Sequence, residues 1–262
     1  MPQAPPPQLG SSAAGLPFPD PYGGDPLLSQ LLEQASTLLT RWLGSAAEGQ
    51  PLPGLSMLPA VAPELAGVAT GQLIADLQRL MDGAYNPNHP GALAHLDPPP
   101  LIASVVGDLI AAGLNNNLLA EELSPSLSRL ERDLCRWLAT AIGLPSGSGG
   151  IPASGGSLSN LMALVVARYR RGLHAVSNAV VLCSADAHVS LAKAVRVMGL
   201  PDGALQTIPV DGSGRLDVDA LAQRLGELRR CGTPVIAVVA TAGTTVRGAV
   251  DPVPAMADLC RQ

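Results

Sequence analysis

Apolar residues recur every three or four positions through much of the first half of the chain, which is the spacing of one face of an α-helix. The spacing predicts helices over residues 26–44, 70–81 and 101–113. A fourth helix is expected to begin at Pro125, capped by Ser124, and to end at Gly143. Segments rich in proline and glycine at 45–65 and 81–100 separate these helices and predict a linker and a loop.

The pattern changes after a glycine-rich loop at 145–150, where short apolar segments begin to alternate with helical ones. Strands are expected at 178–183, 204–209 and 234–240. Helices are expected at 157–171, 189–198, 217–230 and 253–262. The third strand segment, Val-Ile-Ala-Val-Val-Ala, is apolar throughout, which is typical of strands that are buried on both faces. This alternation predicts an α/β fold with a mostly parallel sheet flanked by helices.

The composition supports a large aliphatic core, because 47% of the 262 residues are hydrophobic and only 14% are charged. The N-terminal residues differ: they are rich in proline, glycine and serine and cannot bury enough apolar surface to order themselves. We therefore expect a disordered arm at 1–24, a helical segment with a loop at 25–100 and a large α/β domain at 101–262.

Charge and composition also disfavour several classes of function. A net charge of −5 without a basic cluster argues against a nucleic acid partner. No apolar run reaches the roughly 18 residues needed to span a bilayer, and no signal-peptide pattern is present, so we expect a cytoplasmic protein without a membrane partner. No metal site is expected either, since the cysteines lack metal-ligand spacing and should be buried free thiols: Cys135, Cys183, Cys231 and Cys260.

Three segments carry residues suited to binding or catalysis. In the first, a Gly-Gly-Ser turn at 155–157 leads into an apolar helix. The backbone N–H groups of Gly156 and Ser157, together with the Ser157 hydroxyl, would suit a phosphate at the positive end of that helix. Taken alone, such a turn is more often an ordinary helix cap.

The other two segments follow predicted strands, and the carboxyl ends of parallel strands are where α/β folds bind ligands. His188 lies between a strand and a helix, where its ring could stack on a flat aromatic cofactor or could be a solvated cap. Thr244 and Thr245 follow the third strand and would direct hydroxyl groups toward the same crevice, although a capped loop also explains them. Each segment alone leaves both interpretations open.

Taken together, the segments resemble the group II pyridoxal-phosphate-dependent amino acid decarboxylases, which include the glutamate, aromatic amino acid, cysteine sulfinate and diaminobutyrate decarboxylases. The matching pieces occur in the family's order over about residues 70–262: HPGALAHL (89–96), NNNLLAEELSPSLSRLE (115–131), SGGSLSNLMAL (154–164), the Asp-Ala-His segment at 186–188 with Ser190, and TAGTTVRGAVDP (241–252). The AHLDPPP and SGGSLSN pieces are most similar to the L-2,4-diaminobutyrate branch.

The resemblance implies the aspartate-aminotransferase-like fold, known as PLP fold type I, with a helical N-terminal arm and an incomplete large domain at 101–262. It also implies pyridoxal 5′-phosphate as the cofactor, an L-amino acid as the substrate and a homodimer as the assembly. The implied activity is release of the substrate's α-carboxylate as carbon dioxide.

Roles for individual residues follow from the same resemblance. Gly156 and Ser157 would bind the cofactor phosphate. The catalytic residues, which would also bind the cofactor, are His188, stacked on the pyridine ring, and Thr245, near the ring's phenolic oxygen or the substrate carboxylate. The substrate pocket, built partly across the dimer interface, would contain His95 and Asn117.

The chain departs from the family's pattern in two respects. Ala92 and Leu93 stand where the family often has an aromatic pair, which disfavours an aromatic substrate. The Asp-Ala-Ala and His-Lys motifs, which supply the ring-nitrogen aspartate and the Schiff-base lysine in the family, are absent. We therefore expect a chain truncated before that lysine and inactive by itself. The alternatives are a carbon–carbon lyase of the same fold and a non-catalytic fragment that needs a partner.

Lys193 is the only lysine in the chain, yet its position argues against attachment of the cofactor. It lies five residues after His188 in the same expected helix, about 7.5 Å further along the axis and past a full turn. Its side chain should therefore point away from the crevice and be a solvated or salt-bridged cation near Arg196.

Overall fold

The computed structural model describes residues 18–19, 22–50, 52–54, 58–59, 62, 67–93 and 98–262. The chain divides into two compact units, 1–115 and 116–262. Most of the expected arm at 1–24 lies outside the described residues. The division falls after the third helix, whereas the sequence pattern predicts a boundary just before that helix.

The first unit is helical, as the apolar spacing predicts. Its elements are α1 (Pro26–Gly44), a 3-10 turn (Ala46–Glu48), α2 (Thr70–Asp82) and α3 (Ile102–Leu114). α1 begins at the expected residue because the Asp25 carboxylate accepts a hydrogen bond from the Leu28 N–H at 2.9 Å and Pro26 occupies the first position. The Asn86 side chain joins the loop after α2 to α1 by donating to the Trp42 carbonyl oxygen at 2.9 Å.

The second unit alternates strands and helices after an initial helix, which confirms the predicted α/β class. Its elements are a 3-10 turn (Glu121–Leu123), α4 (Pro125–Ala141), α5 (Gly156–Arg170), β1 (Val180–Ser184), α6 (Ser190–Val197), β2 (Leu205–Ile208), α7 (Val218–Arg230), β3 (Val235–Val239) and α8 (Val253–Arg261). The predicted bounds of the helices and strands agree with these to within about two residues.

The three strands form one parallel sheet in the order β2–β1–β3. β1 pairs with both neighbours, and all of its residues are buried. Ile236 is an extra residue of β3 between the partners of Val180 and Val181, so a bulge shifts the register there. The predicted parallel arrangement is confirmed, and β1 is its central strand.

Helices cover both faces of this sheet. α5 and α6 pack on one face through a buried cluster that includes Leu164, Val181, Cys183, Leu191 and Val195. α7 and α8 pack on the opposite face through a second cluster that includes Val180, Leu182, Leu221, Leu228 and Met256. Full burial of a Leu or Val side chain stabilises the folded state by about 1.5–3 kcal/mol. Because α5 and α6 share a face, the first turns of both helices lie on the same side of the sheet.

Arg168 joins the final turns of α5 and α6. Its guanidinium donates to the carbonyl oxygens of Leu173 at 3.0 Å, Val176 at 3.1 Å and Met198 at 2.9 Å. Met198 is the residue that ends α6. A planar guanidinium with five N–H donors suits such a junction, and it holds the two helices in a defined relative position.

Ser124 occupies the predicted capping position before α4, but the prediction that its side chain caps the helix is wrong. Its hydroxyl donates instead to the side-chain oxygen of Asn116 at 3.3 Å. Ser124 is fully buried, so its hydroxyl needs a partner within the protein, and that partner is Asn116 rather than the start of the helix.

The four cysteines are free, but their surroundings differ. Cys183 is buried, and this burial, with a smaller contribution from the Asp251 carboxylate, raises the pKa of its thiol to about 11. Cys135 is half-buried. The expectation of buried thiols is wrong for Cys231 and Cys260, which are exposed because they lie just after α7 and in the last turn of α8.

The described part of the chain contains neither a candidate metal site nor a membrane-spanning helix. No His, Cys, Asp and Glu side chains cluster there in a way that could hold a metal ion. None of the helices among those residues is long and apolar enough to cross a membrane.

Candidate functional site

The carboxyl ends of β1 and β3 lie side by side because the two strands are parallel neighbours. A cavity of about 420 Å³ opens at this edge of the sheet. Residues 186–189, which follow β1, and residues 244–247, which follow β3, line it. His188 and Thr245 therefore share one cavity, and its volume is within the range of small-molecule sites.

A tight turn after β1 carries His188 to this cavity. The Ser184 hydroxyl accepts a hydrogen bond from the Asp186 N–H at 3.1 Å, and the Ser184 carbonyl oxygen accepts one from the Ala187 N–H at 3.1 Å. Ser184 is fully buried, so the turn is anchored in the sheet. The chain leaves the sheet edge at His188 and enters α6 at Ser190.

The imidazole of His188 contacts Ser190 of α6, and Ser190 in turn contacts α5. Its Nδ1 lies 2.8 Å from the Ser190 hydroxyl oxygen and accepts a hydrogen bond from the Ser190 backbone N–H at 3.2 Å. The Asn160 side chain, in the second turn of α5, donates to the Ser190 hydroxyl oxygen at 2.8 Å. The ring is thereby connected to the helix that begins with the Gly-Gly-Ser turn.

The two neighbouring threonines at the other side of the cavity have different environments. Thr244 is buried, its hydroxyl accepts from the Ala249 N–H at 3.1 Å, and its own N–H donates to the Ala249 carbonyl oxygen at 2.9 Å. Thr245 is exposed, and its hydroxyl makes no hydrogen bond to any described residue. Thr244 closes the loop, which leaves Thr245 with the hydroxyl that a ligand can use.

Asp251 fixes the far end of the same loop. One of its carboxylate oxygens accepts from the Leu216 N–H at 2.8 Å, and the other accepts from the Thr241 N–H at 2.8 Å. The side chain is buried at 2% exposure, so both oxygens are satisfied by backbone groups and not by water. Asp251 therefore has a structural role and ties the segment after β3 to the segment before α7.

An ion pair joins the two segments that line the cavity. The Arg247 Nε lies 3.4 Å from an Asp186 carboxylate oxygen. Arg247 also passes close to Gly214, where a Cβ atom would lie only 2.8 Å from the Arg247 Cδ and where φ is +78°. Glycine at 214 therefore leaves room for the arginine and adopts the left-handed backbone without strain.

The first turn of α5 has the free donors that the sequence predicts for a phosphate site. Gly155 precedes the helix, and no side chain in the described part of the chain caps it. The N–H groups of Gly156 and Ser157 make no hydrogen bond within the described residues, and both residues are exposed. They lie on the same face of the sheet as α6, but they are not part of the lining of the cavity that contains His188.

The remaining candidates lie elsewhere. Asn117 is exposed in the turn before α4, and its side-chain oxygen accepts a hydrogen bond from the Leu119 N–H at 2.7 Å. It does not line the cavity that contains His188. His95 lies outside the described residues. Lys193 is exposed on α6 and does not line the cavity either.

Sequence reasoning assigned no role to Asn160 and did not find the ion pair of Arg247 with Asp186. Asn160 had a signal, because asparagine is a poor helix former and its presence in a second helical turn indicates a side-chain partner elsewhere. The ion pair of Arg247 with Asp186 had no signal in the sequence, since its members are 61 residues apart and meet only through the pairing of β1 with β3.

The chain is similar in sequence to known proteins. The sequence model of the pyridoxal-dependent decarboxylase conserved domain matches residues 55–262. L-2,4-diaminobutyrate decarboxylase of Acinetobacter baumannii is 34% identical over 200 residues, which cover 67% of this chain and 39% of that protein. The protein of the same name from Rhizobium meliloti is 32% identical over 233 residues, which cover 88% of this chain and 46% of that protein.

The fold of the chain is similar to that of a solved structure. The crystal structure of Oryza sativa TDC with PLP and tryptamine superimposes with a TM-score of 0.82 at 25% identity, over 92% of this chain and 56% of that one. This likeness confirms the fold expected from the sequence. The chain spans less than half the length of the two curated relatives it matches.

Proposed function

The chain belongs to the pyridoxal-dependent decarboxylase family, and from this premise we propose that the whole protein removes the α-carboxylate of an L-amino acid. Pyridoxal 5′-phosphate is the cofactor of the family. One observation carries the proposal: His188 and Thr245 line one cavity at adjacent strand ends, on the side of the sheet where α5 begins with free N–H donors.

The residues present fit this cofactor. The N–H groups of Gly156 and Ser157 are exposed donors at the positive end of a helix of 15 residues, which suits a phosphate dianion. The cavity of about 420 Å³ can take a ring the size of pyridine. His188 offers an aromatic face to such a ring, and Thr245 offers an unused hydroxyl.

The protein's part in the reaction is binding and orientation. Gly156 and Ser157 would hold the phosphate, and His188 would fix the plane of the ring. The Thr245 hydroxyl would bind the phenolic oxygen of the ring or the substrate carboxylate, so that the bond to be broken stands perpendicular to the ring. The chemistry that pyridoxal phosphate supplies when bound is an electron sink for the pair left behind as carbon dioxide departs.

For the substrate we propose an L-amino acid without an aromatic side chain, with L-2,4-diaminobutyrate first. Two relatives that carry the diaminobutyrate name support this choice. Ala92 and Leu93 support it as well, because small and aliphatic side chains there offer no aromatic surface on which a substrate ring could stack.

The 262 residues are proposed to lack catalytic activity by themselves. The chain contains one lysine, Lys193, and this residue is exposed on α6 and does not line the cavity that contains His188. The lysine to which the family attaches its cofactor is therefore proposed to lie outside these residues.

We further propose that the whole protein is a cytoplasmic homodimer. The apolar stripe of α4 supports an assembly, because its large side chains are exposed in the single chain: Leu130, Leu134, Trp137 and Leu138. The two exposed free thiols, Cys231 and Cys260, support a reducing compartment.

Carbon dioxide release tests the proposed function. The whole protein is loaded with pyridoxal phosphate and given L-2,4-diaminobutyrate, L-glutamate, cysteine sulfinate or L-tryptophan in separate reactions. We expect release from diaminobutyrate and a loss of about 100-fold or more for His188→Ala, which removes the ring that orients the cofactor. Asp202→Ala, on an exposed turn, is the matched control and should keep full activity. A cofactor-loaded protein that releases carbon dioxide from none of these amino acids would refute the proposal.

A further inference from the structure

The two partners of His188 Nδ1 define where the ring carries its proton. The Ser190 backbone N–H lies 3.2 Å from Nδ1, and a backbone N–H can only donate. Nδ1 must therefore present a lone pair in this arrangement. In a neutral imidazole one nitrogen accepts and the other carries the proton, so the proton belongs on Nε2.

The Ser190 hydroxyl also donates to His188 Nδ1. Its oxygen accepts from the Asn160 Nδ2 at 2.8 Å and lies 2.8 Å from His188 Nδ1, so its single hydrogen is directed to the ring. Reversing the Asn160 amide would require Nδ1 to carry a proton, which would then face the Ser190 backbone N–H. The backbone donor disfavours that alternative, so the polarity runs from Asn160 through Ser190 to His188.

Asn160, Ser190 and His188 form a hydrogen-bonded relay, and no other described side chain is hydrogen-bonded to their side chains. Ser190 is 1% exposed, so water cannot replace Asn160 as the partner of its hydroxyl. The charged groups that share the cavity with His188 are Asp186 and Arg247, and they pair with each other at 3.4 Å. Among the described residues, Nε2 makes no hydrogen bond and is the free donor of the ring.

We propose that Asn160 is a positioning residue that, through Ser190, holds His188 as the neutral tautomer with its proton on Nε2. The relay also connects two parts of the proposed cofactor site, since Asn160 is four residues into the helix that begins with Gly156. The tautomer itself follows from three hydrogen bonds of the chain and does not depend on the proposed function. Only its use toward a cofactor rests on that function.

Nitrogen NMR of the imidazoles tests the proposal. The chain has four histidines, and His188→Gln identifies the signals of the ring in question. Long-range proton–nitrogen spectra of protein labelled with ¹⁵N-histidine are recorded about two pH units above the ordinary histidine pKa of roughly 6.5. We expect an unprotonated Nδ1 and a protonated Nε2 for His188. A protonated Nδ1 in the wild-type protein would overturn the proposal.

Asn160→Asp tests the relay without changing the shape of the side chain. An aspartate only accepts, so the Ser190 hydroxyl must donate to it and can no longer donate to the ring. We expect the ratio of Nε2–H to Nδ1–H in His188 to fall by about tenfold. Asn178→Asp makes the same chemical change on the exposed segment before β1 and should leave the ratio unchanged.

The outcomes separate this proposal from the proposed function. An unchanged ratio in a folded Asn160→Asp protein would contradict the relay, whether or not the protein binds cofactor. If that variant does not fold, Ser190→Ala gives the same test, because it removes the hydroxyl and keeps the backbone N–H, and we expect the ratio to fall by a few-fold. The expected tautomer in a protein that binds no pyridoxal phosphate would refute the function and leave the relay intact.

Discussion

Thr244 and Thr245 carry the same side chain on consecutive residues, and the structure gives them opposite roles. The Thr244 hydroxyl accepts from the Ala249 N–H within the loop, whereas the Thr245 hydroxyl makes no hydrogen bond to a described residue. Valine has almost the same shape as threonine but cannot accept a hydrogen bond. Thr244→Val and Thr245→Val therefore measure what each hydroxyl contributes.

We expect Thr244→Val to lower the free energy of unfolding by about 1–3 kcal/mol, because it leaves the Ala249 N–H without its acceptor. Thr245→Val should change stability by less than about 0.5 kcal/mol. Thr245→Val should lower the affinity for pyridoxal phosphate more than Thr244→Val does. Urea denaturation and cofactor titration of the same samples give both quantities. A stability loss at Thr245 with none at Thr244 would contradict the assignment.

Cys183 provides a residue-scale prediction that depends on pH. Burial, with the Asp251 carboxylate as the smaller cause, raises the pKa of its thiol from 9.0 to about 11. Between these values the unfolded chain releases the proton and the folded chain keeps it. The stabilisation from the neutral thiol is therefore complete below pH 9 and is lost as pH rises to about 11.

Denaturation midpoints measured across this range should fall more steeply for the wild type than for Cys183→Ala, which lacks the group. Labelling with a thiol reagent at about pH 8 should modify the exposed Cys231 quickly and Cys183 only through unfolding. Parallel pH profiles for the two proteins, or rapid labelling of Cys183 in the native state, would contradict the burial argument.

At the residue scale, the sequence predicts a residue's place along the chain better than its partners. His188 and Thr245 follow strands, and parallel pairing of those strands was enough to bring them together. Asn160 and Ser190 meet only because α5 and α6 pack on the same face at one particular rotation. Nothing in the spacing of apolar residues specifies that rotation, so their contact could not be predicted from the sequence.

At the scale of elements, α7 shows how one side chain sets a boundary. The Asp217 carboxylate accepts from the N–H groups of Asp219 and Ala220 at 2.9 Å and 3.0 Å, so it caps two donors of the first turn. Asp217→Ala should lower the free energy of unfolding by about 1 kcal/mol. Asp202→Ala, on an exposed turn, is the control and should stay within about 0.5 kcal/mol.

Thermal or urea unfolding of these two variants measures the difference. Equal stabilities would show that α7 begins at Val218 for reasons of packing, through Leu221 and Leu228, and not through its cap. The prediction concerns stability alone, since Asp217 does not line the cavity that contains His188.

Element bounds were predictable wherever the apolar period was long. The helices of the second unit show that period, and several of their ends coincide with caps, prolines or glycines. The 3-10 turns at Ala46–Glu48 and Glu121–Leu123 were not predictable, because three residues are too few to show any period. Ser124 shows a further limit: its place was predicted correctly, but burial gave its hydroxyl another partner.

At the scale of the whole molecule, large apolar side chains of the second unit are exposed in the single chain. Trp137 is 63% exposed and Leu134 is 51% exposed on the apolar stripe of α4. A groove of about 490 Å³ also runs along the outer edge of β3, away from the cavity that contains His188. Its lining includes Val235, Ala237 and Leu259. Unpaired strand edges and apolar stripes of this kind promote association.

We expect light scattering of the purified chain to give a mass above that of one molecule. Leu134→Glu combined with Trp137→Glu should lower that mass, because two charges then interrupt the stripe. Thr140→Glu, which adds a charge to the polar face of α4, is the control and should have no effect. A monodisperse monomer at high concentration, with cooperative unfolding, would contradict this expectation.

The sequence predicted the fold class and the parallel sheet, but not the order β2–β1–β3 or the bulge at Ile236. Alternating strands and helices specify the connections between elements, whereas the order of strands depends on how their faces pack in three dimensions. The arrangement of the site also depends on the order of the strands, which the sequence does not specify. Two of its segments could be assigned to neighbouring strand ends only once β1 was known to pair with β3.

We propose that the first turn of α5, His188 and Thr245 bind one molecule of pyridoxal phosphate. Diffraction from crystals of the whole protein grown with the cofactor tests it most directly. We expect the phosphate within about 2.7–3.2 Å of the Gly156 and Ser157 backbone nitrogens, with the pyridine ring against the imidazole of His188. Cofactor bound along the outer edge of β3, or attached to the exposed Lys193, would contradict it.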